Sequence, residues 1–310
     1  MADKAPGSKA IIKTPIWARK ASIITLVVIV LILVIFGAFY TQEYVAPFRR
    51  TIITVDDTDI RMDYFLKRAR GAATDPMFML DVLVNELMIE LGTQRYGIEV
   101  NQEDINQELK RIAQGVSENI AESEFEEWYR QQLNEAKLTD SEYKEIIRIN
   151  LLTTRLHEYL AERVSTVAEH VYLHAILLEE YDDAENVKAR LEAGEDFAKI
   201  AREVSIDEEA REKGGDIGWI SRGIMGYGYD EDVFNLDIDD ISEILPSPEG
   251  YYIVMISEKA VSRELDEDSL QQLRDSTLEK WLNEERRTHE IKYNFNSEIN
   301  AWINWQLAKK

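Results

Sequence analysis

The sequence predicts an α+β fold: a single N-terminal transmembrane helix, a mostly helical lobe, and a segment built around a small antiparallel sheet. Three observations predict it. Residues 21–40, ASIITLVVIVLILVIFGAFY, carry no charge. Between Met79 and Val164 apolar residues recur at three- and four-residue intervals, the spacing of helices buried along one face. Between Val171 and Ile256 short apolar runs alternate with helical patterns and glycine turns, as a sheet covered by helices requires.

The 310 residues are enough for two packed domains plus a tail. The net charge is -23, although residues 1–40 hold five basic side chains (Lys4, Lys9, Lys13, Arg19, Lys20) and one acid (Asp3). The rest of the chain is therefore more acidic still. Such a surface repels phosphate backbones, so no nucleic-acid partner is expected; solubility is sufficient reason for the acidity. With no cysteine the chain has no disulfide, no thiolate nucleophile, no cysteine zinc site and no cysteine for a lipid.

Residues 21–40 are the predicted membrane partner. As a helix, a run of roughly 20 apolar residues matches the hydrocarbon thickness of a bilayer. Basic residues precede it. Glu43, Asp56 and Asp57 follow, with Arg49 and Arg50 as the nearby counterweight. The positive-inside bias puts residues 1–20 in the cytoplasm and everything after Tyr40 outside. The competing reading is a cleaved signal peptide. The run exceeds a usual signal core and no A-x-A site follows, which favours an uncleaved anchor.

Residues 41–50 read as a linker with Pro47, and Ile52 to Asp57 as a strand and turn, with Thr58 or Asp59 capping a helix. Met79 to Tyr96 is helical through Leu80, Leu83, Val84, Leu87, Met88 and Leu91. Gly97 breaks it, and Asn101 with Asp104 has the look of a capped restart. Helices follow over about 102–115 and 125–136. A longer one opens at Thr139-Asp-Ser-Glu142 and runs through Ile146, Ile149, Leu152, Leu156 and Leu160. After Ile256, residues 266–288 are again helical, and the tail holds Tyr293, Phe295, Trp302 and Trp305. These aromatics belong in a core, or alternatively on a surface that binds polypeptide.

Within 171–256, Tyr172 to Leu178 and Tyr251 to Ser257 are apolar and short enough for strands. Residues 183–193 and 197–204 read as helices, with Gly194 as a stop. Gly214-Gly215 suits backbone with positive φ. Pairing the two strands would let His174 and Tyr252 share one site. His170 and His174 have the i, i+4 spacing of a metal pair, but only on a helix, and this stretch reads as strand. The acids from Asp230 to Asp240 lack the glycine and terminal glutamate of a calcium loop and read as surface.

The order His174-Ala-Ile-Leu-Leu, Gly194-Glu-Asp-Phe, Gly214-Gly-Asp-Ile-Gly-Trp219, Ser221-Arg-Gly-Ile-Met225 and Gly250-Tyr-Tyr-Ile-Val resembles a parvulin, the small peptidyl-prolyl cis/trans isomerase domain with an FKBP-like superfold. Upstream, Leu-Val-Asn-Glu-Leu, Tyr-Gly-Ile-Glu-Val-Asn-Gln-Glu-Asp-Ile and Leu-Thr-Asp-Ser-Glu-Tyr resemble the N-terminal chaperone region of SurA- and PrsA-type foldases. The resemblance implies a helical chaperone region over 51–166, an inserted parvulin domain over 167–260, and a segment over 261–310 packing on the first lobe.

It also implies site roles. His174 matches the first histidine, in a His-Ile-Leu-Val-like strand. Met225 and Tyr229 match the methionine and aromatic residue of the proline socket, and Phe234 an apolar neighbour. Ser247 lies where a hydroxyl is common. Asp207 or Glu208 falls near a cysteine-or-aspartate position. Tyr252 replaces the second histidine of Gly-Tyr-His-Ile-Ile; its hydroxyl both donates and accepts, but cannot complete an imidazole pair. The implied activity is that of a membrane-anchored extracytoplasmic foldase, which binds unfolded secreted or envelope polypeptides and isomerises X-Pro bonds without metal or cofactor. Two alternatives stay open. One is a non-catalytic holdase with a degenerate parvulin domain; the other is an assembly subunit of a membrane complex. The oligomeric state is left open.

Overall fold

The computed structural model describes residues 16–72, 75–115, 120–226 and 228–309. Most of the tail predicted to be cytoplasmic, residues 1–15, lies outside the described residues. Helix α1 (Ile16–Tyr40) continues through a π-helical turn, Thr41–Val45, into α2 (Ala46–Arg49). The segment Val28–Arg49 is long and apolar enough to cross a membrane, and none of it is buried within the chain. Then come β1 (Thr51–Val55), β2 (Thr58–Arg61), α3 (Met62–Ala72), α4 (Pro76–Tyr96), α5 (Gln102–Gln114), α6 (Glu122–Ala136) and α7 (Asp140–Ala161). The next stretch runs β3 (Val167–Leu178), α8 (Tyr181–Glu192), α9 (Phe197–Val204), α10 (Glu208–Lys213), β4 (Asp216–Ser221), α11 (Tyr229–Phe234), β5 (Leu245–Ser247) and β6 (Gly250–Glu264). The chain closes with α12 (Glu267–Asp275), α13 (Thr277–Thr288), β7 (Ile291–Tyr293) and α14 (Ser297–Ala308).

Two units emerge. The first holds the described residues up to Leu87, Gln107–Glu145 and Arg286 onward; the second holds Met88–Asn106 and Ile146–Glu285. In the first, β1 is the centre of an antiparallel sheet ordered β2-β1-β7. Ile52, Ile53, Val55 and Ile60 of this sheet are buried, as are Met62, Phe65 and Leu66 on α3 and Leu80, Leu83 and Val84 on α4. Thr58 and Asp59, expected to cap a helix, are instead strand residues. The Asp59 carboxylate accepts from the Thr54 hydroxyl (2.8 Å) and the Thr51 hydroxyl (3.1 Å), and so ties the hairpin. Arg68, only 9% exposed, grips Glu86 through two bonds of 2.5 and 2.7 Å and reaches the Tyr64 hydroxyl at 2.9 Å. Among the tail aromatics, Trp302 packs edge-on to Phe48 at 5.2 Å, whereas Trp305 is 56% exposed.

The second unit is built on an antiparallel sheet ordered β4-β3-β6-β5. Strands β3 and β6 are longer than expected and pair from Val167 opposite Glu264 to Leu178 opposite Tyr251. The side chains alternate between two buried faces. One face carries Ile176, Leu178 and Ile253 against Val187 and Leu191 of α8 and Ile200 and Ala201 of α9. The other carries Leu173, Ala175, Val254 and Ile256 against Val233 and Phe234 of α11 and Leu245 of β5.

Local signals act as the sequence suggests. The Asn101 carboxamide oxygen accepts from the amides of Glu103 and Asp104, and Asp104 accepts from the Asn101 amide, a reciprocal cap for α5. Trp281 of α13 donates from its indole nitrogen to the Tyr96 hydroxyl at 3.2 Å and lies against Gly92, where a methyl group would meet the indole.

Candidate active site

The face carrying Ala175 and Val254 is not fully covered. A cavity of about 430 Å³ opens there, floored by Leu173, Ala175, Tyr252 and Val254 and walled by Met225, Tyr229, Val233 and Leu245. The alternation of β3 and β6 supplies the floor; the turn after β4 supplies Met225; and α11 supplies Tyr229 and Val233. Tyr229 donates its phenolic hydrogen to the carbonyl of Pro246, so the two walls are joined.

Few polar groups reach this space. Asp207, Ser247, Glu249 and Tyr252 do. Asp207 caps α10 through one carboxylate oxygen, which accepts from the Ala210 amide at 3.0 Å. Ser247 donates to the Gly250 carbonyl at 3.1 Å and accepts from the Glu249 amide at 3.2 Å, so its hydroxyl closes the β5–β6 turn. Burial pushes the Tyr252 phenol up from its ordinary value, and the negative charges of Glu249 and Asp207 push it further. The phenol is thus a neutral donor and acceptor at the floor of an apolar chamber.

The expected site residues divide by position. Met225, Tyr229, Asp207, Ser247 and Tyr252 come together at the cavity. Glu208, the alternative to Asp207, begins α10 outside the lining and sits 3.8 Å from Arg211. Phe234 is 2% exposed and packs in the core behind the wall, with the Arg222 guanidinium 4.4 Å from its ring.

His174 is not brought together with Tyr252. It shares strand parity with Ile176 and Leu178, and so faces the opposite side of the sheet. There its Nε2 lies 3.0 Å from the Ser257 hydroxyl, and its ring stands edge-on to Phe197 at 6.2 Å. The position that faces the cavity is Ala175. Setting the Ile-Leu-Val of the His-Ile-Leu-Val pattern on Ile176-Leu177-Leu178 also places Ala175 in the histidine column. That alignment and the two-residue period of the strand are the signals that lead to Ala175.

Backbone around the cavity is fixed by glycine and by α13. Gly215 has φ +86, and its carbonyl accepts from the Ala175 amide at 2.8 Å. A Cβ there would lie 3.0 Å from both the Ala175 carbonyl oxygen and the Phe197 ring. In the turn before Met225, Lys280 donates to the Gly223 carbonyl at 2.8 Å. Asp230, expected at the surface, is half-buried. Burial raises its carboxyl above the ordinary value against the opposing pull of the Gly223 and Met225 amides.

The family described as "Rotamase: PPIC-type PPIASE domain" matches residues 178–258, a span that begins just after His174 and Ala175. The foldase protein PrsA of Halalkalibacterium halodurans is 28% identical over 259 residues, covering 78% of this chain and 72% of that protein. The foldase protein PrsA of Clostridium kluyveri is 33% identical over 162 residues, covering 51% of this chain and 46% of that protein. A crystal structure of the peptidylprolyl isomerase PrsA from Bacillus anthracis overlaps 74% of this chain and 96% of its own, at 21% identity and a TM-score of 0.38. The chain carries a parvulin domain of the PPIC type and is a homologue of the PrsA foldase proteins.

Proposed function

We propose that this chain is a membrane-anchored extracytoplasmic foldase that binds unfolded secreted or envelope polypeptides and catalyses cis/trans isomerisation of their X-Pro bonds. The observation that carries the reading is the cavity: an apolar chamber with a few polar groups, most of whose lining falls within the span that matches a rotamase domain, with Leu173 and Ala175 just before it. Rotation about an X-Pro bond faces a barrier of roughly 20 kcal/mol because amide resonance must be broken. Planar amides are more charge-separated than twisted ones. Transfer into an apolar chamber therefore disfavours the planar forms more than the twisted one, which is selective binding of the transition state. Met225, Tyr229 and Leu245 hold the proline ring, and the Tyr252 hydroxyl is placed to bond the neighbouring amide. Asp207 and Ser247 shape the mouth. No histidine pair is needed for these steps.

In this reading residues 167–260 are the isomerase domain, residues 51–166 with 261–310 form the chaperone region, and residues 21–40 are the anchor. The exposed apolar helix and the basic flank before it support an N-terminus in the cytoplasm.

The test is exchange NMR on proline peptides with the full chain in detergent micelles. Catalysis is expected, and Met225→Ala should lower kcat/KM by about tenfold through loss of socket contacts. Catalysis that Met225→Ala leaves untouched would refute the site. A second reading, a non-catalytic holdase, is favoured by Ala175 and Tyr252 standing at both histidine positions. It predicts peptide binding at the same cavity without exchange.

A further inference from the structure

Apart from the Tyr252 hydroxyl on its floor and the Tyr229 hydroxyl in its wall, the lining of the cavity is apolar except at its mouth, and there its charge has one sign. Asp207 and Glu249 both reach it, and among its described lining residues there is no lysine, arginine or histidine. They come from separate elements, Asp207 from the start of α10 and Glu249 from the β5–β6 turn, so the fold brings the two charges together. Both line the cavity with Tyr252, and the charges of both act on its phenol.

Among the described residues neither carboxylate has an ion-pair partner within 4 Å. Asp207 uses one oxygen to cap α10. Lys213 lies within electrostatic range of Asp207 but is ion-paired with Glu209 at 2.7 Å. Glu249 is exposed, and its backbone, not its carboxylate, makes the hydrogen bond to Ser247. A capping carboxylate is expected because helix starts favour one; among the described residues Glu249 has no such structural duty.

We infer that the cavity selects prolines flanked by a basic residue, with Asp207 and Glu249 as the specificity-determining carboxylates. The inference rests on the reading of the cavity as the X-Pro site. With the proline ring in the apolar chamber, the flanking side chain is left at the mouth. An ammonium or guanidinium there meets two carboxylates at the edge of the apolar chamber, Asp207 half-buried and Glu249 exposed, where attraction exceeds its value in bulk water. A flanking glutamate meets the same charges with repulsion, and a neutral residue meets neither. The selected clients are basic stretches of polypeptide, with lysine or arginine next to proline.

The test uses the full chain in detergent micelles and peptides that differ only beside the proline: lysine, alanine or glutamate, before or after it. Exchange NMR gives kcat/KM, and line broadening gives the peptide Kd. Lysine peptides should exceed glutamate peptides by about tenfold at low salt, with alanine between them, and high salt should compress the series. Glu249→Gln and Asp207→Asn should each reduce the ratio, and the double variant should bring it near one. Asparagine still caps a helix, so Asp207→Asn keeps its fold. Equal rates for all three peptides, or a preference that survives the double variant, would overturn the inference while leaving the foldase reading in place. A charge-dependent order of Kd without any exchange would uphold the selectivity and remove the isomerase. No proline peptide binding at all would remove both.

Discussion

Replacing Arg68 by methionine tests the energetic reading of the first unit. Arg68 is 9% exposed at its side chain and Glu86 17%, and two hydrogen bonds of 2.5 and 2.7 Å join them. Methionine keeps the length of the side chain and removes its charge, and thereby strands the Glu86 carboxylate in a poorly hydrated place. Breaking a buried pair from one side costs about 3–5 kcal/mol. Because Glu86 keeps some access to water and the lost Tyr64 contact is minor, the lower end applies, about 3 kcal/mol. The double replacement Arg68→Met, Glu86→Leu removes both charges and should recover most of that loss, since apolar substitutes for buried pairs are often neutral. Hydrogen exchange of the α3 and α4 amides in the full chain reads the opening free energy of these helices directly. Arg68→Met should accelerate exchange by about a hundredfold, and the double variant by far less. If Arg68→Met changes exchange by less than about fivefold, the pair is no more than a surface ion pair and the reasoning fails. A double variant as labile as the single one refutes the desolvation argument specifically.

Three further outcomes are expected. His174→Ala should leave kcat/KM within about twofold, whereas Ala175→His with Tyr252→His should raise it, because only the latter pair faces the cavity; the same NMR exchange assay decides it. Gly215→Ala should destabilise the second unit by about 1–3 kcal/mol in urea unfolding, since φ +86 and the 3.0 Å approach to the Ala175 carbonyl both oppose a side chain. Glu195, bonded to Arg190 and then to Lys199, has its carboxyl pulled down from 4.5 to about 2. Its pairing is therefore fully present above 4.5 and is lost as pH falls toward 2. A carbon-13 titration should show that low midpoint in the parent chain and its return toward 4.5 in Arg190→Gln.

The helices were legible because their signals are local. Asn101 and Asp104 announce a cap three residues apart, and Gly214-Gly215 announces a turn without reference to any partner. Thr58 and Asp59 misled because the same side-chain oxygens that cap helices also tie hairpins, and only the pairing of β1 with β2 decides between them. His174 drew attention because it is the histidine nearest the Ile176-Leu177-Leu178 run of its strand. The face it occupies depends on parity and on bulges, at Tyr172/Leu173 and Leu173/His174, that a sequence does not display. Glu249 joining Asp207 and Tyr252 was hidden for another reason. It depends on the order in which β5 joins β6 and on the return of α10 to the sheet edge, both set by long-range packing.

The long pairing of β3 with β6 has a consequence for how such a chain is assembled and altered. Val167 stands opposite Glu264, and the Leu265 amide bonds to the Thr166 carbonyl at 2.9 Å. Everything between these residues leaves and returns through one doorway, with its two jambs about 5 Å apart. A gap so narrow is spanned by a two-residue hairpin turn. Excision of the sheet and its helices would therefore ask little of α7 and α12 beyond a short splice. The same doorway admits a foreign domain whose own ends lie side by side. Loss, exchange or duplication of the segment between these residues is in this sense a small topological event, and the junction at Thr166–Leu265 is where a grafted binder or sensor domain would be placed.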